Sequence, residues 1–213
     1  MIDAVLFDLD GTLLDSAPDL IASTQFALAL QGLSVAPDVD LRAFVSGGAR
    51  GLVLGSRIRD LDVERAIADL LTHYEAHISV ASVPFAGAIE LLEGLDAAGL
   101  PWGIVTNKST FLTHRLREHQ ALIKRSRVLV CGDTLSERKP SPAPLLYAAA
   151  ELSAAPHSTL YVGDDQRDML AAQSAGMRGV IALWGYLGAD PDPLAWPHER
   201  AFASLAELQA WIA

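Results

Sequence analysis

Cysteine is almost absent: Cys131 is the single one in 213 residues, so no internal disulfide forms and no Cys-x-x-Cys redox or zinc pattern exists. Lysine is nearly as scarce, occurring only at 108, 124 and 139. With 16 basic against 26 acidic residues the formal charge is −10 and the isoelectric point about 4.9. Nucleic acids and anionic membranes are bound by clustered Lys and Arg, so neither is an expected partner. The same deficit argues against a phosphorylated ligand unless positive charge is concentrated locally. No uncharged apolar stretch nears the roughly 18–20 residues that cross a bilayer. The N-terminal MIDAVLFDLD lacks a basic region followed by an unbroken apolar one, so no secretory leader is expected, and the expected location is the cytoplasm. What the chain has in quantity is apolar residues, 51% of the total with a mean hydropathy of +0.26, which excludes a disordered chain.

At roughly 100–200 residues per domain, this length allows one large domain or one domain with a modest insertion. Ala4-Val5-Leu6-Phe7 is a run of strand formers that ends abruptly in Asp8-Leu9-Asp10-Gly11-Thr12. Ser16 is then a candidate N-cap, with Pro18 in the first turn and Asp19 near the positive helix end, and Gly32 stops the helix after about Gln31. Between 38 and 80 the apolar residues recur at helical spacing and no strand is evident. Beyond Pro84 the rhythm changes. Helices predicted over 88–98, 144–152 and 167–175 alternate with short apolar runs at 102–105, 128–130, 160–162 and 180–183. Continuous apolar strands between helices indicate a parallel sheet covered on both faces. The expected fold is therefore a doubly wound α/β sheet at 1–15 and 84–213, with an all-helical unit at about 16–83 inserted after the first strand. Two adjacent links between the units make a hinge.

In open α/β sheets, ligands bind beyond the carboxyl ends of the strands. The polar residues fall there: Asp8 and Asp10 after the first strand, Thr106, Asn107 and Lys108 after the second, Lys139 in the loop after the third, and Asp164, Asp165 and Asp168 after the fourth. Clustered carboxylates repel one another unless a cation or proton intervenes. A few hard oxygen ligands suit Mg²⁺, which keeps several waters and is completed by substrate phosphate.

Asp8-Leu9-Asp10-Gly11-Thr12, Thr106, Lys139 and Gly163-Asp164-Asp165-x-x-Asp168, in that order, resemble the four motifs of the haloacid dehalogenase superfamily of phosphatases. The resemblance implies that Asp8 attacks phosphorus and that Asp10 protonates the leaving oxygen and later deprotonates the hydrolytic water. It implies that Thr106 bonds a phosphoryl oxygen and that Lys139 balances the charge of nucleophile and phosphate. Asp164 would hold Mg²⁺ together with Asp8 and the main-chain carbonyl of Asp10. Asp168 would orient these ligands or Lys139, and Asp165 either. Hydrolysis of an ester is favoured over other chemistries of the superfamily. Dehalogenases lack the second aspartate, phosphonate-cleaving relatives use a lysine in the insert where 16–83 has none, and the sugar-phosphate mutases carry a histidine where 16–25 has none.

The helical insert looks like the small cap that closes over the site in this superfamily. The phrase Val45-Ser46-Gly47-Gly48-Ala49-Arg50-Gly51 sits where such caps carry their specificity loop, so Gly48 and Arg50, with Asn107 from the core, are candidates for substrate binding. Phe7–Leu20 and 162–168 are similar to phosphoglycolate phosphatases, and Ser-Gly-Gly-Ala-Arg also resembles the N-acetylmuramic acid 6-phosphate phosphatases of cell-wall recycling. Either implies a small phosphorylated metabolite carrying a carboxylate, turned over by a monomer or homodimer.

Several plainer readings stand beside these. A receiver-like regulator shares the strand-end acids, Thr and Lys, but lacks Asp-x-Asp and a cap. In the calcium-loop reading of Asp8-x-Asp10-Gly11 the glycine comes too early. Gly47-Gly48 as a simple helix break and Arg50 as a solvated charge are the alternatives to a substrate role. His73 and His77 lie four apart but lack the glutamate of a zinc helix. Cys131 reads as a buried apolar residue and Lys108 as a neighbour of the phosphate or a solvated charge. The aromatic, Gly- and Pro-rich tail at 185–200 either borders the site or covers the sheet edge.

Overall fold

The structure is a computed structural model that describes residues 2–188 and 192–212. Residues 189–191, part of the 185–200 tail, lie outside the described residues.

Six strands form one parallel sheet: β1 (Ala4–Phe7), β4 (Trp102–Val105), β5 (Leu129–Val130), β6 (Thr159–Gly163), β7 (Arg178–Ala182) and β8 (Arg200–Phe202). Their order is β5-β4-β1-β6-β7-β8. The chain leaves β1 toward β4 on one side and returns to β6 on the other, so the strand order reverses at β1 and a crevice opens beyond its carboxyl end. Side chains alternate across each strand. Val5 and Phe7 join a cluster on one face with Leu91, Leu95 and Leu208, whereas Leu6 and Tyr161 pack on the other with Leu145, Ala148 and Met169. The first face carries α4 (Ala88–Ala97) and α9 (Leu205–Ile212), the second α7 (Ala143–Glu151) and α8 (Gln166–Ser174). This is the doubly wound α/β fold expected from the sequence.

Glycines close the predicted helices. Gly32, Gly99 and Gly176 follow helices α1 (Ala17–Ala29), α4 and α8 and take left-handed φ of 71°, 68° and 67°, a region that suits a residue without Cβ. Between β1 and β4 lie α1, a 3₁₀ turn at Leu41–Gly47, α2 (Gly48–Gly55) and α3 (Val63–Ala76). Leu52, Leu70 and Tyr74 from these helices are fully buried and continue the cluster that covers the first sheet face. Two elements here escaped the sequence. Strand β2 (Leu14–Asp15) pairs antiparallel with β3 (Val83–Pro84), laying the two links side by side. The Asp19 carboxylate, at the start of α1, fastens this ribbon by accepting the Ala81 N–H at 2.8 Å, the Ser82 N–H at 2.9 Å and the Ser82 hydroxyl at 2.5 Å.

Beyond β4, α5 (Thr110–His119) and α6 (Ala121–Arg125) lead to β5. Strand β8 is a three-residue edge outside any apolar run. The described parts of the 185–200 tail do two things: Tyr186 reaches the carboxyl end of the sheet, whereas Trp196 is buried in the second cluster. Among the described residues, no helix is long and apolar enough to cross a membrane.

Candidate active site

The turn after β1 is shaped by one carbonyl. Leu9 O accepts the N–H groups of Thr12, Leu13 and Leu14, which folds Asp8–Asp10 back over the strand end. Gly11 takes φ of 89°, and a Cβ there would lie 2.1 Å from Asp164 Oδ2. Gly11 is thus required twice, by its backbone and by the carboxylate packed against it. Gly11→Ala is expected to cost at least about 2 kcal/mol; a urea melt with an unchanged midpoint would contradict that close approach.

Lys139 is the electrostatic centre. Its side chain is 2% exposed, and Nζ lies 2.9 Å from Asp8 Oδ1 and 2.8 Å from Asp168 Oδ1. It also donates to Val105 O at 2.9 Å and to the Tyr161 hydroxyl at 2.7 Å, and that hydroxyl in turn donates to Val105 O at 2.8 Å. Burial draws the Lys139 pKa down, but Asp168 and Asp8 outweigh it and the net shift is upward, so the ammonium is kept charged. Asn107 holds the backbone of the same residue from both ends: its Oδ1 accepts the Lys139 N–H at 3.1 Å and its Nδ2 donates to Lys139 O at 3.0 Å. Its amide, expected on the substrate, thus also positions Lys139. Tyr161 went unnoticed in the sequence; the signal available was one hydroxyl inside the aliphatic run Leu160-Tyr161-Val162.

Asp8, Asp164 and Asp168 each offer a carboxylate oxygen within 4.8 Å of the others. Asp164 accepts the Thr12 hydroxyl at 3.0 Å and the Tyr186 N–H at 2.8 Å, and Asp168 Oδ2 accepts the Asp165 N–H at 3.1 Å. Asp8 Oδ1 is buried without a hydrogen bond, its contact to Lys139 being an ion pair outside hydrogen-bonding angles. Burial and the neighbouring acids push the Asp8 carboxyl up to about 7, with Lys139 opposing, and hold Asp164 well above the ordinary carboxylate range. Three carboxylates brought within 4.8 Å of one another at the end of the sheet, all hard donors, fit a divalent cation. Asp10 sends its side chain elsewhere: it accepts the Ser16 hydroxyl at 2.5 Å and Lys108 Nζ at 3.2 Å on both oxygens. Ser16 occupies the N-cap position without capping through its side chain, because that hydroxyl serves Asp10. The Tyr186 hydroxyl replaces it, accepting the N–H groups of Ser16 at 2.8 Å and Ala17 at 2.9 Å.

These residues floor a cavity of about 380 Å³ roofed by the helical insert. Asp8, Asp10, Thr106, Asn107, Lys108, Lys139, Asp164, Asp165 and Asp168 line it from the sheet, and Ser46, Gly47, Gly48 and Tyr74 line it from above. Gly48 takes φ of 65° as it opens α2. Arg50 is not brought to the cavity. In the first turn of α2 it faces outward, 57% exposed and paired with Glu64. Two other arginines do reach the wall, Arg138 in the loop before Lys139 and Arg167 on α8. Asp165 caps α8 and grips the Arg167 guanidinium at 2.7 Å and 3.0 Å, and Arg167 donates across to Ser46 O in the insert.

The family model for haloacid dehalogenase-like hydrolase matches residues 5–182. A phosphoglycolate phosphatase of Xanthomonas campestris is 46% identical over 196 residues, covering 91% of this chain and 88% of that protein. An N-acetylmuramic acid 6-phosphate phosphatase of Pseudomonas aeruginosa is 41% identical over 196 residues, covering 91% and 87%. Among solved structures, that of a predicted phosphoglycolate phosphatase from Haemophilus somnus superposes with a TM-score of 0.86 at 27% identity, covering 100% of this chain and 98% of that one.

Proposed function

The chain belongs to the haloacid dehalogenase-like hydrolase family, and from that premise we propose that it hydrolyses a small phosphate monoester through a phosphorylated Asp8. The enzyme is a phosphoric monoester hydrolase. The observation that carries the mechanism is the set of Asp8, Asp10, Thr106 and Lys139 around one cavity, with Lys139 Nζ 2.9 Å from Asp8 and held there by Asp168 at 2.8 Å. An Asp8 oxygen attacks phosphorus and the bond to the leaving alcohol breaks, while Asp10 gives that oxygen its proton. Asp10 then takes a proton from water as the water oxygen attacks the phosphorus of aspartyl phosphate, which breaks the bond to Asp8 and frees inorganic phosphate. Thr106 donates to a phosphoryl oxygen and Lys139 offsets the charge gathered there. Phosphoryl transfer is mainly positioning and charge stabilisation, and this set supplies both.

Asp8 and Asp164, with the main-chain carbonyl of Asp10, would hold Mg²⁺; when bound, it supplies positive charge to the phosphoryl oxygens. Asp168 fixes Lys139, and Asp165 fixes the start of α8. Residues 1–15 and 84–213 form the catalytic core and 16–83 the cap, with the β2–β3 ribbon as the hinge on which closure excludes water. Phosphoglycolate is the first substrate in line, given the relative at 46% identity. N-acetylmuramic acid 6-phosphate is the second, given the relative at 41% identity. A cytoplasmic location and a monomer or homodimer complete the reading.

A phosphate-release panel of both compounds, simple sugar phosphates and an aryl phosphate tests this. One carboxylated substrate should exceed the aryl phosphate at least about tenfold in kcat/KM, chelation should abolish release, and Mg²⁺ should restore it. Release from none of them would refute the assignment.

A further inference from the structure

Arg50 being outside the cavity leaves open which group reads the leaving alcohol. Two side chains on the cavity wall have chemistry that the hydrolytic steps do not use up. Lys108, in the loop after β4, is 7% exposed at its side chain, and its Nζ bridges both oxygens of Asp10 at 3.2 Å. Its ammonium sits 4.8 Å from the centre of the Tyr74 ring, which descends from α3 in the cap. Tyr74 is fully buried, and its hydroxyl faces the Lys108 ammonium but completes no hydrogen bond of good geometry among the described residues. Native proteins rarely leave such a group unpaired, and the exceptions call for a ligand or a functional reason. Both residues line the cavity, one from the core and one from the cap, next to the aspartate that protonates the leaving oxygen.

We propose that Lys108 and the Tyr74 hydroxyl form the subsite for the carboxylate of the leaving group. This rests on the phosphatase reading above and deepens it. The ammonium provides the charge and the phenol a directed donor, the pair of features that distinguishes a carboxylate from a hydroxyl of similar size. Because Lys108 touches Asp10, the subsite lies beside the leaving oxygen. Because Tyr74 belongs to the cap, the subsite is complete only with the cap closed, so a carboxylated substrate would itself favour closure.

The test uses two substrate pairs, one member of each carrying a carboxylate: phosphoglycolate against ethyl phosphate, and N-acetylmuramic acid 6-phosphate against N-acetylglucosamine 6-phosphate, which lacks the whole lactyl ether. The wild-type enzyme should prefer the carboxylated member of at least one pair. Tyr74→Phe should cut that preference in kcat/KM by about tenfold and Lys108→Met by about a hundredfold, while the melting temperature of Tyr74→Phe does not fall. The pair that responds identifies the source of the carboxylate. Equal losses on both members of the preferred pair would overturn the subsite and leave Lys108 acting only through Asp10. A wild-type enzyme that hydrolyses phosphate esters without preferring either carboxylate would also overturn it while leaving the hydrolase reading intact. Absence of all hydrolysis would instead sink the reading beneath it.

Discussion

Asp8→Asn should reduce phosphate release by about 10⁴-fold or more while the protein stays folded. Asparagine keeps the shape of the side chain but has no anionic oxygen with which to attack phosphorus. Stability should hold because Asp8 is a strained member of its cluster: burial and the nearby Asp168 and Asp10 push its carboxyl up, and only Lys139 opposes them. Removing that charge relieves repulsion with Asp164 and Asp168 at the cost of one ion pair. Steady-state phosphate release and a urea melt check the two halves separately. An Asp8→Asn variant with substantial turnover would mean that another group, or water directly, attacks the ester.

Lys139→Ala is expected to damage both stability and activity. The ammonium is all but inaccessible and lies within 3 Å of two carboxylates, Asp8 and Asp168. Breaking a buried pair by removing one member leaves the other uncompensated, which costs about 3–5 kcal/mol. Loss of the charge that faces the phosphoryl group should lower kcat by about 10²–10³-fold. Adding Asp168→Asn to Lys139→Ala should recover part of the stability, because it removes one orphaned charge, and none of the activity. If the double variant were less stable than the sum of the two single changes, Lys139 would not be the counter-ion that the distances imply.

The sheet and the acids at its strand ends were legible in the sequence because both follow local rules. Apolar runs such as Ala4–Phe7 and Trp102–Val105 leave little choice but buried strands, and parallel order then fixes which end carries Asp8, Thr106 and Asp164. What was not legible depends on directions that no spacing records. Arg50 lies in the glycine-rich phrase, yet its position on α2 turns it to Glu64, whereas Arg167, in the first turn of α8 and outside that phrase, crosses to Ser46 O. Ser16 has the right type and place for an N-cap, but Asp10 competes for its hydroxyl and Tyr186, 170 positions away, supplies the cap. Strand β8 and the β2–β3 ribbon are too short to show a period. The charge of −10 likewise misled about ligands: five of the acids gather at the site, where Lys108 and Lys139, two of the three lysines, are buried against Asp8, Asp10 and Asp168.

The most direct test of the account is to trap the phosphorylated aspartate. Enzyme quenched during turnover and treated with borohydride reduces an acyl phosphate to the alcohol, so mass spectrometry should find homoserine in place of aspartate at position 8, dependent on substrate and absent from Asp8→Asn. Substrate-dependent label at another aspartate, or none at position 8 while phosphate is being released, would contradict the central claim.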